Sequence, residues 1–477
     1  MRTTACIAAA SVALASFAGC SVIQRDKPEP ELALIYNQTA QYHGPDRNPI
    51  IAIPGLMGSK LFDPTSQTLV WGAFERGAAD PDKPDGARLL ALPIDDEAEL
   101  SEVHDDVEPD GVLEQVRIRL LGVPVEVQAY AGILATLGAG GYRDEALGLG
   151  GEVDYGDDHF TCFQFDYDWR RDNVENARRL HEFILEKREY VRAEYKKHYG
   201  IDKRDIKFDI AAHSMGGLVT RYFLMYGSQD LPADGSLPAL TWEGAKLVER
   251  AILIGTPNGG APEAFRQIVQ GRKLGPLLPM LPPALLGTFP SAYELMPRPW
   301  MRQVVYDGDP ERPVNILDPD VWESMEWGLA SPDQDQVLAI LMPDVPTRAE
   351  RHRKATGYLR HVLTRAARFM AAMDREAPAP RDLDIYLVAG DALGTTERLS
   401  VDSETGEVRL IGTGPGDGSV LRSSALLDRR VGGEWSPYLQ TPLDLHAVMF
   451  LPEEHLALTH NTVFRDNILF WLLEAPR

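Results

Sequence analysis

The sequence predicts an α/β fold with a mostly parallel central sheet flanked by helices. Three observations support this prediction. Residues 206–213 form an apolar, strand-like run that ends in a sharp turn at Ser214 and continues as a helix. Residues 48–53 form a second apolar run that breaks at a Pro-Gly pair, and a third strand-like run covers 384–390. A buried strand, a sharp turn and a helix in this order are typical of α/β sheets.

The turn at Ser214 has the pattern of a nucleophile elbow, which holds a serine hydroxyl above the sheet. The residues two before and two after the serine must be small, and here they are Ala212 and Gly216. Ala212 replaces the usual glycine, so the motif is weaker than a full Gly-x-Ser-x-Gly pattern. An ordinary strand-to-helix turn is the alternative. We predict that Ser214 is a catalytic nucleophile.

The loop that follows residues 48–53 is predicted to stabilise negative charge on a reacting oxygen. Its Leu56 N–H is one candidate donor, and the Met215 N–H, directly after the nucleophile, is the other. Pro54 and Gly55 in the same loop are assigned to substrate binding. A simple Pro-Gly turn that closes a strand is the alternative.

An orienting acid is expected between the serine and the histidine along the chain. We predict Asp417, because the glycine-rich run at 412–418 is expected to be a loop after a strand that can turn a carboxylate towards an imidazole. Asp391, also at a probable strand end, is the competing candidate. The glycine spacing could also suggest a phosphate cradle, but no strand-to-helix context supports one.

His455 is the predicted general base, because it precedes an apolar run at 463–473 that is expected to be the closing helix. His446 and His460 are the other late histidines, and His213 is expected to point to the opposite side of the elbow and pack. His455 and His460 are off the i,i+4 spacing of a helical metal site. We therefore predict neither a metal nor a cofactor.

Several separate segments together resemble the lecithin:cholesterol acyltransferase-like lipases and acyltransferases of the α/β-hydrolase superfamily. They are residues 54–59, 130–142, 165–170, 212–217, 254–262 and 289–297. The resemblance spans about residues 48–475 and implies Ser214 as nucleophile, Asp417 as acid and His455 as base. It also implies that Leu56 and Met215 donate to the oxyanion. Trp169 would flank the acyl or head-group pocket, and a buried structural tryptophan is the alternative.

The residues and the resemblance together predict a serine esterase that acts on lipid acyl esters such as phospholipids. Water as acceptor of the acyl group gives a lipase or phospholipase, whereas a lipid alcohol gives an O-acyltransferase. A non-catalytic envelope lipoprotein that uses a hydrolase fold as a binding scaffold is an alternative of another class. A peptidase or amidase is a third possibility. The formal net charge of −23 argues against a nucleic-acid partner.

The N-terminus resembles a bacterial lipoprotein signal. Arg2 is followed by an apolar run of small residues that ends in Ala-Gly-Cys at positions 18–20. We predict cleavage before Cys20, lipidation of that cysteine and attachment to the bacterial cell envelope, at the periplasmic face of the outer membrane if the cell is Gram-negative. An ordinary signal peptide that is cut nearby is the alternative.

Four segments are predicted along the chain. A signal peptide covers 1–19 and a lipid-anchored tether covers 20–47. The α/β-hydrolase catalytic domain covers 48–261 and 384–477, and a mainly helical cap or lid covers 262–383. The cap includes an amphipathic run at 348–373. The apolar side chains of the cap, leucines among them, are expected either to bind an acyl chain or to form the core of a helical subdomain. Cys162 is expected to be a buried hydrophobe in a strand.

Overall fold

The computed structural model describes residues 29–476, apart from residues 43, 75–76, 114, 121–122, 129, 148–158 and 276–277. The helices in this part of the chain are α1 (Leu32–Ile35), α2 (Asn37–Ala40), α3 (Pro84–Leu90), α4 (Ala131–Ala139), α5 (Asn173–Tyr199), α6 (Met215–Tyr226), α7 (Pro262–Gln270), α8 (Pro283–Leu286), α9 (Pro290–Glu294), α10 (Pro319–Ser324), α11 (Asp335–Leu341), α12 (Arg348–Met373), α13 (Arg422–Ala425) and α14 (Thr462–Leu473).

The strands are β1 (Ile50–Ile53), β2 (Ser59–Asp63), β3 (Thr68–Trp71), β4 (Ala73–Phe74), β5 (Glu108–Val112), β6 (Gln115–Leu120), β7 (Val123–Gln128), β8 (Cys162–Gln164), β9 (Phe208–His213), β10 (Val248–Ile254), β11 (Arg272–Lys273), β12 (Met280–Leu281), β13 (Val304–Tyr306), β14 (Asp309–Pro313), β15 (Asp384–Gly390), β16 (Leu393–Val401), β17 (Val408–Gly416) and β18 (Ala447–Leu451).

A central sheet of six strands forms the framework, in the order β18-β15-β10-β9-β1-β8. All of its pairings are parallel. Every residue of β1 and β9 is buried, as expected for strands that are covered on both faces. The predicted α/β fold with a mostly parallel sheet is therefore confirmed.

Helices cover both faces of this sheet. Ile51 and Ile53 join a core cluster that includes α5, α6 and α12, whereas Ile50 and Ala52 join one that includes α4 and α14. Successive residues of a strand point to opposite faces, so this division follows from the alternation along β1. Cys162 is buried in β8, in the second of these clusters.

The chain between β10 and β15 contains helices α7 to α12 and two short antiparallel pairs, β11 with β12 and β13 with β14. Helix α12 has the bounds of the predicted amphipathic run. Strand β13 also pairs in parallel with β16, which gives a four-stranded sheet in the order β14-β13-β16-β17. The predicted boundary at residue 384 thus divides this small sheet between the two proposed domains, and the bounds of the cap stay a prediction.

Residues 32–40 differ from the tether predicted over 20–47. They form α1 and α2, which lie against α14 through the buried side chains of Leu32, Tyr36 and Leu469. The Tyr36 hydroxyl donates to Asp466 Oδ1 at 2.8 Å. Burial of these apolar side chains explains why the segment is attached rather than free.

The predicted signal peptide and Cys20 lie outside the described residues. Within the described chain, no helix combines the length and the apolar character that crossing a bilayer requires.

Candidate active site

Ser214 lies on the turn between β9 and α6, with φ 54° and ψ −125°. A non-glycine residue with positive φ is strained and is held in place by its surroundings. A Cβ on Gly216 would lie 2.4 Å from the Pro54 carbonyl oxygen. Position 216 therefore requires a residue without a side chain, because the loop after β1 lies close to it.

The structure brings Ser214, Asp417 and His455 together in one hydrogen-bonded series. His455 Nε2 lies 2.8 Å from Ser214 Oγ, and His455 Nδ1 lies 2.7 Å from Asp417 Oδ2. The carboxylate can only accept, so Nδ1 carries the proton and Nε2 is free to accept the serine proton. The three side chains follow β9, β17 and β18, and their separate loops converge above the sheet.

The environment of Asp417 keeps its carboxylate ionised. Burial by itself raises the pKa of Asp417, but the hydrogen bond and charge of His455 lower it, and so do two backbone N–H groups. Asp417 Oδ1 accepts from Ser419 N at 2.9 Å and from Val420 N at 2.6 Å. The pKa of Asp417 therefore stays below its ordinary value, as an acid that orients an imidazolium requires.

The glycine-rich run before Asp417 is a strand, not the predicted loop. Residues 412–416 belong to β17, which pairs antiparallel with β16, and Asp417 is the first residue after it. At Gly416 a Cβ would approach the Thr395 side-chain oxygen to 2.4 Å, so a glycine is required at this one position. Asp391, the competing acid, follows β15, and its N–H donates to Leu451 O. His455 Nδ1 is bonded to Asp417 and not to Asp391.

The predicted oxyanion loop lies directly against the nucleophile. A Cβ on Gly55 would lie 2.7 Å from Ser214 Cβ, so only glycine fits at this position. Among the residues that the structure describes, neither the Leu56 N–H nor the Met215 N–H has a protein acceptor. Their role as oxyanion donors stays a prediction.

Two buried aromatic residues, Tyr167 and Trp169, contact this loop and the strand after it. Both lie in a segment of the family resemblance, which implies that Trp169 belongs to the substrate pocket. Tyr167 donates through its hydroxyl to Pro54 O at 2.9 Å. Trp169 has no exposed surface, donates from Nε1 to Ser59 O at 3.1 Å, and packs edge-on against other aromatic rings. The structure thus places Trp169 in the core, which corresponds to the structural alternative given for it.

His213 and Tyr130 were missed as site residues. His213 was expected to pack away from the site, but its ring lies against the His455 ring, with centroids 4.7 Å apart. Its Nδ1 lies 3.0 Å from the Tyr130 hydroxyl, and the two residues are 83 positions apart in sequence. The position of His213 next to Ser214 in the sequence is the one signal that could have suggested a place in the site. No pattern near Tyr130 suggests its contact with His213.

The other late histidines lie outside the triad. His446 pairs with Asp384, and His460 lies beside Gly132. In the described part of the chain, no group of three or more His, Cys, Asp or Glu side chains could hold a metal ion.

The buried ring of His213 predicts a loss of stability in acid. Burial, followed by the nearby His455, lowers the pKa of His213 from 6.5 to about 3. Below pH 6.5 the unfolded chain binds a proton here that the folded chain does not, so this contribution to stability falls as the pH drops from 6.5 to about 3. The slope is about 1.4 kcal/mol per pH unit for one proton.

Urea unfolding of the wild type and of His213→Asn between pH 7 and pH 4 tests this prediction. We expect the free energy of unfolding to fall more steeply with acid in the wild type. Equal slopes for the two proteins would contradict the assignment of a neutral, buried His213.

Comparisons with known proteins bear on the family resemblance and on the fold. Residues 153–328 match the family model described as lecithin:cholesterol acyltransferase. The predicted resemblance to this family is confirmed. The matched segment contains Ser214 and Met215, whereas Leu56, Asp417 and His455 lie outside it.

A solved structure, described as the crystal structure of the Tle4–Tli4 complex, is similar to this chain with a TM-score of 0.55 and 16% sequence identity. The similarity covers 90% of this chain and 98% of that one. At this identity the likeness shows the fold alone, which is a mostly parallel central sheet flanked by helices. No curated protein matched the chain.

Proposed function

We propose that this protein is a serine esterase that acts on lipid acyl esters through a Ser214-His455-Asp417 triad. The observation that carries the proposal is the continuous hydrogen-bonded series from Asp417 Oδ2 through the His455 ring to Ser214 Oγ. An activated serine requires a base within hydrogen-bond reach and a third group that orients the base. The family match over residues 153–328 favours a lipid as the acyl donor.

In the proposed reaction, Ser214 Oγ attacks the ester carbonyl carbon while His455 Nε2 takes the hydroxyl proton. The ionised carboxylate of Asp417 stabilises the imidazolium that forms. The carbonyl oxygen becomes an oxyanion, which accepts hydrogen bonds from the N–H groups of Leu56 and Met215. Loss of one such donor typically costs about 3 kcal/mol of activation free energy.

Collapse of this intermediate breaks the bond to the alcohol, which leaves with the proton from His455, and an acyl-enzyme on Ser214 remains. Water, with His455 again as base, then releases the fatty acid. A lipid alcohol that takes the place of water gives an acyltransferase. We favour hydrolysis because water is always available, and we retain O-acyl transfer as the second candidate because of the family match.

Mass spectrometry of lipids after incubation with phosphatidylethanolamine and phosphatidylglycerol vesicles tests the proposal. Enzyme that was inactivated beforehand with a fluorophosphonate is the control. We expect lysophospholipid and free fatty acid with the active protein alone, while added long-chain alcohol that becomes acylated would favour the transferase. Lipids that stay unchanged, together with vesicle binding, would favour the non-catalytic scaffold.

We further propose that Cys20 carries a lipid anchor that attaches the protein to the bacterial envelope, because the N-terminal sequence has the pattern of a lipoprotein signal. Metabolic labelling with an alkyne-tagged fatty acid, compared between the wild type and Cys20→Ser, tests this. Equal labelling of both proteins would contradict the anchor.

A further inference from the structure

A second hydrogen-bonded series lies directly behind the triad. The Tyr130 hydroxyl accepts from the Gly55 N–H at 2.7 Å and lies 3.0 Å from His213 Nδ1. His213 Nε2 lies 3.0 Å from the His455 carbonyl oxygen. The series thus runs from the oxyanion loop, through two buried side chains, to the backbone of the residue that carries the general base.

Only one arrangement of protons satisfies every atom of this series. The His455 carbonyl oxygen can only accept, so His213 Nε2 must carry a proton. If His213 is neutral, its Nδ1 then accepts, and the Tyr130 hydroxyl donates to it while accepting from the Gly55 N–H. Each group therefore has a fixed role, and the series holds a single orientation.

The surroundings keep both side chains in these neutral forms. Burial raises the pKa of Tyr130, so its hydroxyl stays protonated. Burial, followed by the neighbouring His455, lowers the pKa of His213 to about 3. The ring that faces His455 thus carries no charge, and a proton that arrives on His455 during the reaction meets no like charge there.

The series fixes the two parts of the site that must act together. Gly55 is joined to the peptide that carries the Leu56 N–H, and a Cβ on Gly55 would lie 3.2 Å from Ser214 Oγ. At the other end, the His455 backbone is held at its carbonyl by His213 and at its N–H by Asp417 O at 3.0 Å. A shift of Tyr130 would therefore move the oxyanion donor and the base relative to each other.

We propose that Tyr130 and His213 are positioning residues. They fix the position of the Leu56 N–H relative to the His455 ring, as acyl transfer requires. This inference rests on the proposed function, because it concerns the same reaction. Neither residue contacts the reacting atoms in this role. Misplacement of about 1 Å can lower a rate by about 100-fold, so the effect is expected in turnover rather than in substrate binding.

The test is Tyr130→Phe in the full chain, with 4-nitrophenyl butyrate as substrate and a fluorophosphonate probe for the serine. We expect kcat to fall by about 10- to 100-fold, KM to stay within about two-fold, and the labelling rate to fall in parallel with kcat. The matched control is Tyr226→Phe, which also removes a buried hydroxyl, bonded to Ala372 O at 2.7 Å. This control is expected to lose stability but not kcat.

Each outcome has a distinct meaning. A wild type that neither labels nor turns over the ester overturns the proposed function and the positioning role with it. A wild type that labels, with Tyr130→Phe equal to it in kcat, overturns the positioning role alone, as does an equal loss of kcat in Tyr130→Phe and Tyr226→Phe. If Tyr130→Phe does not fold, His213→Asn is the second variant, because it removes the N–H that donates to His455 O. The same fall in kcat is expected, and its absence would overturn the positioning role.

Discussion

Replacement of Ser214 by alanine is expected to lower kcat for an ester substrate by about a million-fold, the loss typical of a triad serine. The Ser214 hydroxyl lies 2.8 Å from His455 Nε2 and is the group that would form the proposed acyl-enzyme. Residual catalysis would come from the oxyanion donors and from binding alone. The small change in volume at the elbow is expected to leave the fold intact.

The measurement is turnover of 4-nitrophenyl butyrate together with covalent labelling by a fluorophosphonate, followed by intact mass. Ser228→Ala, at an exposed position after α6, is the matched control and is expected to keep both signals. Labelling of Ser214→Ala at the wild-type rate would place the reactive serine elsewhere.

Replacement of Asp417 by asparagine is expected to lower kcat by about ten-thousand-fold. The asparagine amide has nearly the same shape, but it lacks the charge that stabilises the imidazolium. Its NH₂ group can also favour the wrong tautomer of His455 by donating to Nδ1, which would move the ring proton to Nε2 and block proton transfer from the serine. Folding is expected to survive, because the Ser419 and Val420 N–H groups can still bond the amide oxygen.

Asp391→Asn is the matched control and also separates the two acids that the sequence left open. Its kcat is expected to stay near the wild-type value, because Asp417 and not Asp391 bonds His455 Nδ1. Steady-state kinetics and fluorophosphonate labelling of both variants show which of the two aspartates orients His455. A large loss of kcat in Asp391→Asn with little loss in Asp417→Asn would contradict the proposed triad.

The sequence predicted those features whose cause is local. The turn at Ser214 needs small neighbours, and helix α12 has an amphipathic period, so both could be located from spacing. The order of serine, acid and histidine narrowed the later candidates. The structure then placed Asp417 and His455 within reach of each other and of Ser214.

The features that were missed depend on contacts between distant parts of the chain. The glycines at 412–416 look like a loop, but they complete a strand because β16 offers a partner. Residues 32–40 look like a tether, but they bind α14 through Tyr36. Tyr130 contacts His213 across 83 positions of the sequence. A one-dimensional pattern contains no information on such pairings.

The proposed acid of the triad, Asp417, is carried by a different sheet from the serine and the histidine. Ser214 and His455 follow strands of the central sheet, whereas Asp417 follows β17, which lies at the edge of the four-stranded sheet. The next residue, Gly418, donates its N–H to Thr395 Oγ1 at 2.9 Å. An edge hairpin can open locally at a lower free energy than the whole domain unfolds. Opening of this one hairpin would withdraw the carboxylate and the Asp417 carbonyl that accepts from the His455 N–H, while the elbow on the central sheet stays in place. If the proposed triad is correct, a fraction of the folded protein would then be reversibly inactive, and the stability of the hairpin rather than that of the core would set this fraction.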